Sequence, residues 1–406
     1  MSVFTSSRFM SCLVSGEDWR SVAKSALEQL EGAKGQGYTL GFLYISDRLA
    51  GDSESLLNLF KSVLGIKHWI GAAGLGVCGC GQEIIDAPAL SVMLCQFDAA
   101  DFCIFPSVCE DTHDVAKLLK PWLEHNEPLL VAVHGDPLAA LDPAFSLAAL
   151  ERLIGGFLVG GLTSSRSSQI QFADEARSGG VSGAVFSSEV EVASVLSQGC
   201  RIIGPEHQIT RVDGQVVLEL DGRLASQVFE EDLRSMAIKT IDRDPDDVLV
   251  DEGEIPEEYK TLFQGEVHAA LLVPGSDQGD YLVRHITGFD PDEGSLQIAE
   301  TSLEGQRLVF VHRDQESVFE DLSAQLVALR TRVTHERGCF EPKGALYISC
   351  VARAFKDKQD GSEIGRSEAQ LIRDVIGDVP LAGFYAAGEI NAGRLYGYSG
   401  ILVLFL

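Results

Sequence analysis

Positive charge is what this chain has least of: 32 Lys and Arg stand against 60 Asp and Glu in 406 residues, a formal net charge of −28. Attraction to phosphate backbones or anionic lipid depends on clustered Lys and Arg, so neither nucleic acid nor a membrane surface is expected as a partner. Long apolar runs are missing as well. Nothing approaches the run of about eighteen apolar residues that reads as a membrane helix, and the start of the chain lacks the charged and apolar regions of a signal peptide. A cytoplasmic protein is expected. The nine cysteines are odd in number and irregularly spaced in a long chain, which reads as reduced thiols and not as a disulfide framework. Cys78 and Cys80 form a Cys-x-Cys, but Cys95, Cys103 and Cys109 follow at no zinc-like spacing, so no metal is expected. Hydrolase and metalloprotease signatures are absent, as are the P-loop, the dinucleotide fingerprint and a haem-attachment Cys-x-x-Cys-His.

What is present is a globular chain, 45% hydrophobic and long enough for two or three domains. Residues 241–259 hold nine carboxylates and one Arg. Without the alternating ligands and central Gly of a calcium loop, they read as a solvated loop. Apolar periodicity predicts helices over residues 18–33, 54–64, 112–125 and 145–153, alternating with strands over 38–45, 66–73, 89–97 and 128–133. Consecutive strands follow between 181 and 220, then a helix over 223–239. Further strands are expected at 266–273, 281–286, 296–298 and 307–312, a long helix over 314–336, the strand ending at Cys350, a helix over 367–376, and strands around Gly383 and over 401–406. The class is mixed α/β: two related halves with mixed sheets flanked by helices.

Two strings near the C-terminus carry the most chemistry. Gly344-Ala-Leu-Tyr-Ile-Ser-Cys350-Val-Ala-Arg353 and Val379-Pro-Leu-Ala-Gly383-Phe-Tyr-Ala-Ala-Gly388-Glu389-Ile390 are apolar runs ending in small and polar residues, as buried strands that deliver side chains to a site do. A carboxylate at Glu389 is costly there unless paired, and Arg353 is the expected partner, either holding the site together or gripping a ligand's ammonium and carboxylate groups. Cys350 precedes Arg353 closely and Cys200 precedes Arg201. A guanidinium lowers a thiol pKa, although a core cysteine beside a structural Arg is the default for each. From Gly71 through Gly81 there are five glycines, Gly74 and Gly76 among them. Such a turn can cradle a ligand with its N–H groups or simply let strands pack closely. His134 ends a clear strand, as a hydrogen-bonded loop residue, a haem ligand or a general base.

The Ser-Cys-x-x-Arg strand followed by Gly-Phe-x-x-x-Gly-Glu-Ile resembles the C-terminal half of the FIST family of intracellular sensory proteins. Trp69-Ile-Gly71-Ala-Ala-Gly74-Leu-Gly76-Val-Cys-Gly79-Cys-Gly81-Gln-Glu83 and Ile154-Gly155-Gly156-Phe-Leu-Val-Gly160-Gly161 resemble the family's first and second glycine-rich strand turns. Leu196-Ser-Gln-Gly199-Cys200-Arg201-Ile-Ile-Gly204-Pro205 resembles the stretch that closes its N-terminal half. The resemblance implies a FIST N-like domain over 1–221 and a FIST C-like domain over 222–406, and the apolar-Gly strand turns at Gly71, Gly155 and Gly383 suggest by themselves that the halves are distant duplicates. The resemblance also implies a non-catalytic sensor that binds an amino acid or similar metabolite between the halves and acts through a partner such as a histidine kinase. The ligand contacts expected are Gly71, Gly74, Gly76, Cys200, Arg201, Cys350, Arg353, Gly383, Gly388 and Glu389. Where the family commonly has Leu-His-Gly, this chain has Leu395-Tyr396-Gly397, so a role for that His is in doubt. Two alternatives stay open: a non-covalent haem sensor of nitric oxide, with Cys, His or Tyr as axial ligand, and an enzyme using Cys350 as nucleophile, which would lack an evident base.

Overall fold

The computed structural model describes residues 3–109, 112–241, 267–273, 280–301, 303–354 and 367–406. The acidic stretch after residue 241 lies outside them. Two compact units are formed, Met1–Ser197 together with Leu322–Leu406, and Gln198–Asp321. The mixed α/β class and the two-part architecture are as expected from the sequence.

The larger unit repeats one pattern three times: edge strand, helix, central strand, helix, partner strand, hairpin, closing strand. In the first pass these are Phe9–Ser15, Trp19–Gln29, Leu40–Ser46, Ser53–Leu64, His68–Gly74, the hairpin Gly76–Gly79 with Gln82–Ile85, and Ala89–Cys95. The second pass runs Phe102–Val108, His113–Leu123, Pro128–Gly135, Pro143–Ile154, Phe157–Leu162, Gln171–Ala173 with Ala176–Arg177, and Val181–Ser187. The third runs Val192–Ser197, Gln315–Arg337, Gly344–Cys350, Glu368–Ile376, Leu381–Ala386, Glu389–Asn391 with Arg394–Tyr396, and Gly400–Phe405. After Ser197 the third pass is interrupted by the smaller unit.

Each pass builds one sheet in the order edge, closing, central, partner, and each sheet is completed by a hairpin from another pass. The second hairpin pairs with His68–Gly74, the third with Phe157–Leu162 and the first with Leu381–Ala386, so the exchange is cyclic. Inner faces share one core that includes Phe42, Ala132, Leu346, Ile70, Val159 and Ala382. Outer faces are covered by the helix pairs, through Val22 and Phe60 in the first pass, Leu119 and Leu147 in the second, and Leu326 and Ile372 in the third.

Central and partner strands run parallel, and at one register their backbones approach very closely. Gly71 lies opposite Leu43, Gly160 opposite Val133 and Gly383 opposite Tyr347. A Cβ at these glycines would stand 1.9, 1.8 and 1.9 Å from the facing carbonyl oxygens, which no side chain tolerates. The glycine equivalent to Gly71 and Gly383 is therefore Gly160. Gly155 instead ends the helix Pro143–Ile154 in a left-handed conformation, φ +77°, with open space around it.

The smaller unit is a closed sheet. Arg307–His312, His207–Asp213, Val216–Leu220, Ser295–Ile298, Tyr281–Asp290 and Val267–Leu272 pair in that order, and the last pairs back onto the first. The helix Ala225–Ile241 packs Val228, Phe229 and Leu233 into its core. His207 ties this helix to the sheet, with Nδ1 2.6 Å from Asp221 and Nε2 3.0 Å from Asp232. A division at Asp221 thus falls in a turn within this unit, because strands on both sides of it pair with one another. Sequence periodicity also passes over the strands Phe9–Ser15 and Phe102–Val108 and over the exchanged hairpins, most of which are too short to show a period.

Gly160→Ala is expected to cost on the order of 3 kcal/mol or more, since the facing strand must move. Gly155→Ala, in open space, should cost about 1 kcal/mol. Urea unfolding of the two variants beside the parent chain checks the difference.

Candidate functional site

The core of the larger unit changes character along its strands. At the end where the central strands begin, Phe9, Phe42, Phe97, Phe102, Phe186 and Phe405 pack ring to ring, with centroids such as Phe9–Phe405 at 5.3 Å. The register set by Leu43, Val133 and Tyr347 then places Tyr44, His134 and Ile348 one step on, and Ser46, Asp136 and Cys350 at the carboxyl ends. Polar groups gather at this end of the core, where open α/β sheets also place their ligands.

Glu389 opens the third hairpin opposite Gly161 and is fully buried. Its Oε2 accepts from the Ser399 N–H at 3.0 Å and the Ser399 hydroxyl at 2.8 Å, while Oε1 meets no N–H or hydroxyl and the carboxyl's remaining polar neighbour is the Cys350 thiol. Burial pushes its carboxyl up to about 8 against the pull of those bonds, so the group is mostly protonated at neutral pH. Cys350 lies beside it and donates its backbone N–H to Ser399 O at 2.9 Å. Burial, and secondarily the Glu389 charge, push the Cys350 thiol far above its ordinary range, so it stays protonated.

Arg353 does not pair with Glu389. It sits in a single helical turn after the Cys350 strand, 1% exposed, and donates from Nε and Nη2 to Glu368 Oε1 at 2.8 and 2.6 Å. Nη1 donates to Ser197 O at 2.9 Å and Nη2 to Ser197 Oγ at 3.2 Å. Glu368, first residue of the helix Glu368–Ile376, also accepts from Ser349 Oγ at 2.7 Å. Burial alone would lower the guanidinium pKa, and the Glu368 charge outweighs it and holds it above the ordinary value. Glu83, delivered by the first hairpin, accepts from Ser367 Oγ and the Ala369 N–H, both at 2.8 Å, and is raised by burial and then by Glu368. The residues that complete this network, Glu368, Ser349, Ser197, Ser399 and Glu83, did not stand out in the sequence. Ser367-Glu368 reads there as an exposed helix start, the position where an acid is usually solvated.

Cys350, Arg353, Gly388 and Glu389 thus belong to one region, with the Gly388 carbonyl accepting from the Leu162 N–H at 2.8 Å. Gly71 and Gly383 serve strand packing, and a Cβ on Gly74 or Gly76 would come within 3.0 Å of neighbouring atoms. Cys200 and Arg201 belong to the smaller unit. Tyr281 Oη donates to Cys200 O at 3.2 Å, and the half-exposed Arg201 stands 4.0 Å from Glu320. His134 is not a loop residue but lies within a strand, 1% exposed, with Nε2 3.2 Å from Tyr44 Oη. Burial lowers it to about 3 and keeps it neutral. Tyr44 and His134 pack on Phe384 at centroid distances of 5.0 and 5.8 Å. These rings would have to separate before a porphyrin reached the imidazole, so this pair does not fit a haem. A groove of about 520 Å³ exists elsewhere, in the outer helical layer between Trp19–Gln29 and Ser53–Leu64. Among the described residues no group of three or more His, Cys, Asp or Glu is arranged to hold a metal ion, and no helix is long and apolar enough to cross a membrane.

Comparison with known proteins places this architecture. The FIST N domain matches residues 39–223 and the FIST C domain residues 246–392, and the chain belongs to the FIST family. FIST domains are associated with small-ligand-binding sensory signalling. An uncharacterized protein of Mycobacterium tuberculosis is 33% identical over 226 residues, covering 52% of this chain and 50% of that protein. An uncharacterized protein of Mycobacterium bovis is 31% identical over 221 residues, with the same coverage. The chain spans about half the length of these curated relatives. Among solved structures, a cyanuric acid hydrolase from A. caulinodans aligns over 98% of both chains at 10% identity and a TM-score of 0.29, too low to bear on fold or chemistry.

Two outcomes are expected. Arg353→Ala leaves Glu368 buried without its counter-charge and should cost roughly 3–5 kcal/mol in urea unfolding. Glu389 keeps a proton in the folded chain that the unfolded chain releases above the ordinary value of 4.5. Its stabilisation is therefore complete below that pH and lost as pH rises to about 8, at up to about 1.4 kcal/mol per pH unit. Glu389→Gln removes this slope, so the variant should match the parent in acid and melt higher at pH 8, as thermal unfolding across a pH series would show.

Proposed function

We propose that this chain is a non-catalytic sensory protein that binds a small molecule carrying an amine, an amino acid or similar metabolite, at the carboxyl end of the threefold core. The observation that carries the reading is Glu389: a fully buried carboxyl with one oxygen satisfied by Ser399 and the other meeting no N–H or hydroxyl, the weakly bonding Cys350 thiol being the carboxyl's remaining partner. Leaving such a group poorly paired costs a fold free energy, and groups of this kind concentrate at functional sites. The ligand's ammonium pairs with Glu389. Its carboxylate, if it has one, is not held by Arg353 in the present arrangement, because that side chain is engaged by Glu368 and Ser197. The protonated Cys350 thiol argues against a nucleophilic enzyme. Occupancy is passed to a signalling partner, a histidine kinase or another protein.

This reading fixes a pH dependence. Glu389 must lose its proton to pair with an ammonium, so affinity should rise with pH up to about 8, by up to about tenfold per unit. Calorimetry of an amino-acid and amine panel in buffers of different ionisation enthalpy should show close to one proton released on binding, and Glu389→Gln should abolish both binding and release. A panel in which nothing binds, or a ligand bound equally by the Gln variant, would sink the proposal.

A further inference from the structure

The segment 163–170 leaves the second-pass partner strand directly beside Glu389. The Leu162 N–H donates to Gly388 O at 2.8 Å and Leu162 O accepts from the Ala387 N–H at 3.0 Å. From there the segment touches strand ends of all three passes. The Thr163 N–H donates to Gly135 O at 2.7 Å and the Ser164 N–H to Ala73 O at 3.2 Å. The Ser164 hydroxyl donates to Tyr385 O and accepts from the Leu75 N–H at 2.9 Å. Internal bonds fix its shape: Thr163 Oγ1 to Gln169 Oε1 at 2.9 Å, and Gln169 Nε2 to Ser165 O at 2.8 Å.

At its crest Arg166 makes a two-sided charged contact. Nε and Nη2 reach the two oxygens of Asp47 at 2.7 and 2.8 Å, and Nη1 reaches Asp86 Oδ1 at 2.6 Å, where Arg48 Nη2 also binds at 2.8 Å. Asp47 directly follows Ser46, the end of the first central strand, and Asp86 follows the first hairpin. The two ends of this contact differ in exposure: the Asp47 side chain is 3% exposed, Arg166 49% and Asp86 42%. A bidentate Arg–carboxylate pair is geometrically specific. Held this close to water, it is also weakened by salt and can release without unpacking the core.

We infer that residues 163–170 are a strap that closes the carboxyl end of the threefold core over Glu389 and Cys350, with Arg166 as its latch on Asp47 and Asp86. Its role as a gate rests on the ligand reading above. Release of the latch leaves the strap held only by its hydrogen bonds to the strand ends, so that it lifts more readily and opens a path to Glu389, and engagement seals the site.

Cys350 is the reporter, and no ligand is needed. In the full chain, N-ethylmaleimide labelling at pH 8 followed by peptide mass spectrometry gives separate rates for Cys350, Cys12 and Cys95. Arg166→Ala should raise the Cys350 rate by about tenfold or more, and Asp86→Asn by less. The parent chain at about 1 M salt should show a partial rise, since charges so screened interact over only about 3 Å. Cys12 and Cys95, buried elsewhere in the same unit, should keep their rates. An unchanged Cys350 rate in both variants overturns the latch, as does a parallel rise at all three cysteines, which signals general loosening. If Arg166→Ala does not fold, Asp86→Asn and the salt series decide alone. Because labelling needs no ligand, its failure leaves the amine panel standing, and an empty panel leaves the strap standing.

Discussion

Three backbone contacts set the geometry of the larger unit: Gly71 against Leu43, Gly160 against Val133 and Gly383 against Tyr347. Each brings a parallel partner strand closer to its neighbour than any side chain permits, and each fixes the same register. With register fixed, the faces of every strand follow from the pleat. Apolar positions fall inward at the amino ends, and the carboxyl ends carry Ser46, Asp136 and Cys350. The polar site is therefore placed by backbone sterics before any of its own side chains is considered.

The site itself combines two kinds of buried charge. Arg353 with Glu368 is a compensated pair, tied down by Ser349 and Ser197, and such a pair holds local structure with little net gain in stability. Glu389 is the opposite case, a carboxyl whose neighbourhood favours the proton over the charge. The first kind makes a rigid wall, and the second leaves a group able to change state when something binds. Their closeness places a group that can change its protonation beside a network tied down by several bonds.

Much of this was legible in the sequence, for identifiable reasons. Strands such as Leu40–Ser46 and Gly344–Cys350 are unbroken apolar runs, and helices such as Glu368–Ile376 carry a clear period and a Ser cap. Cys350, Arg353 and Glu389 stood out because polar residues follow long apolar runs. The wrong partner for Arg353 came from proximity in motif, whereas the actual one, Glu368, lies at a helix start that looks solvated until the strand beside it is placed. The threefold pattern was hidden because its passes share little beyond one glycine each, because a second glycine at Gly155 competes with Gly160, and because the third pass is split by residues 198–321. Hairpin exchange leaves no local signature, since a three-residue strand such as Glu389–Asn391 reads the same whichever sheet it joins.

That exchange also has a consequence for how the chain is made. The first hairpin, Gly76–Gly79 with Gln82–Ile85, finds its partner strand only at Leu381–Ala386, about 300 residues downstream. During synthesis at about 5–20 residues per second, its edge waits tens of seconds with unpaired N–H and C=O groups, a template for pairing with the wrong chain. The smaller unit, which closes its own sheet, has no such dependence once its last strand has emerged. A nascent chain of this protein would therefore hold the threefold core unfinished until Leu381–Ala386 has emerged, in the condition that invites chaperone attention.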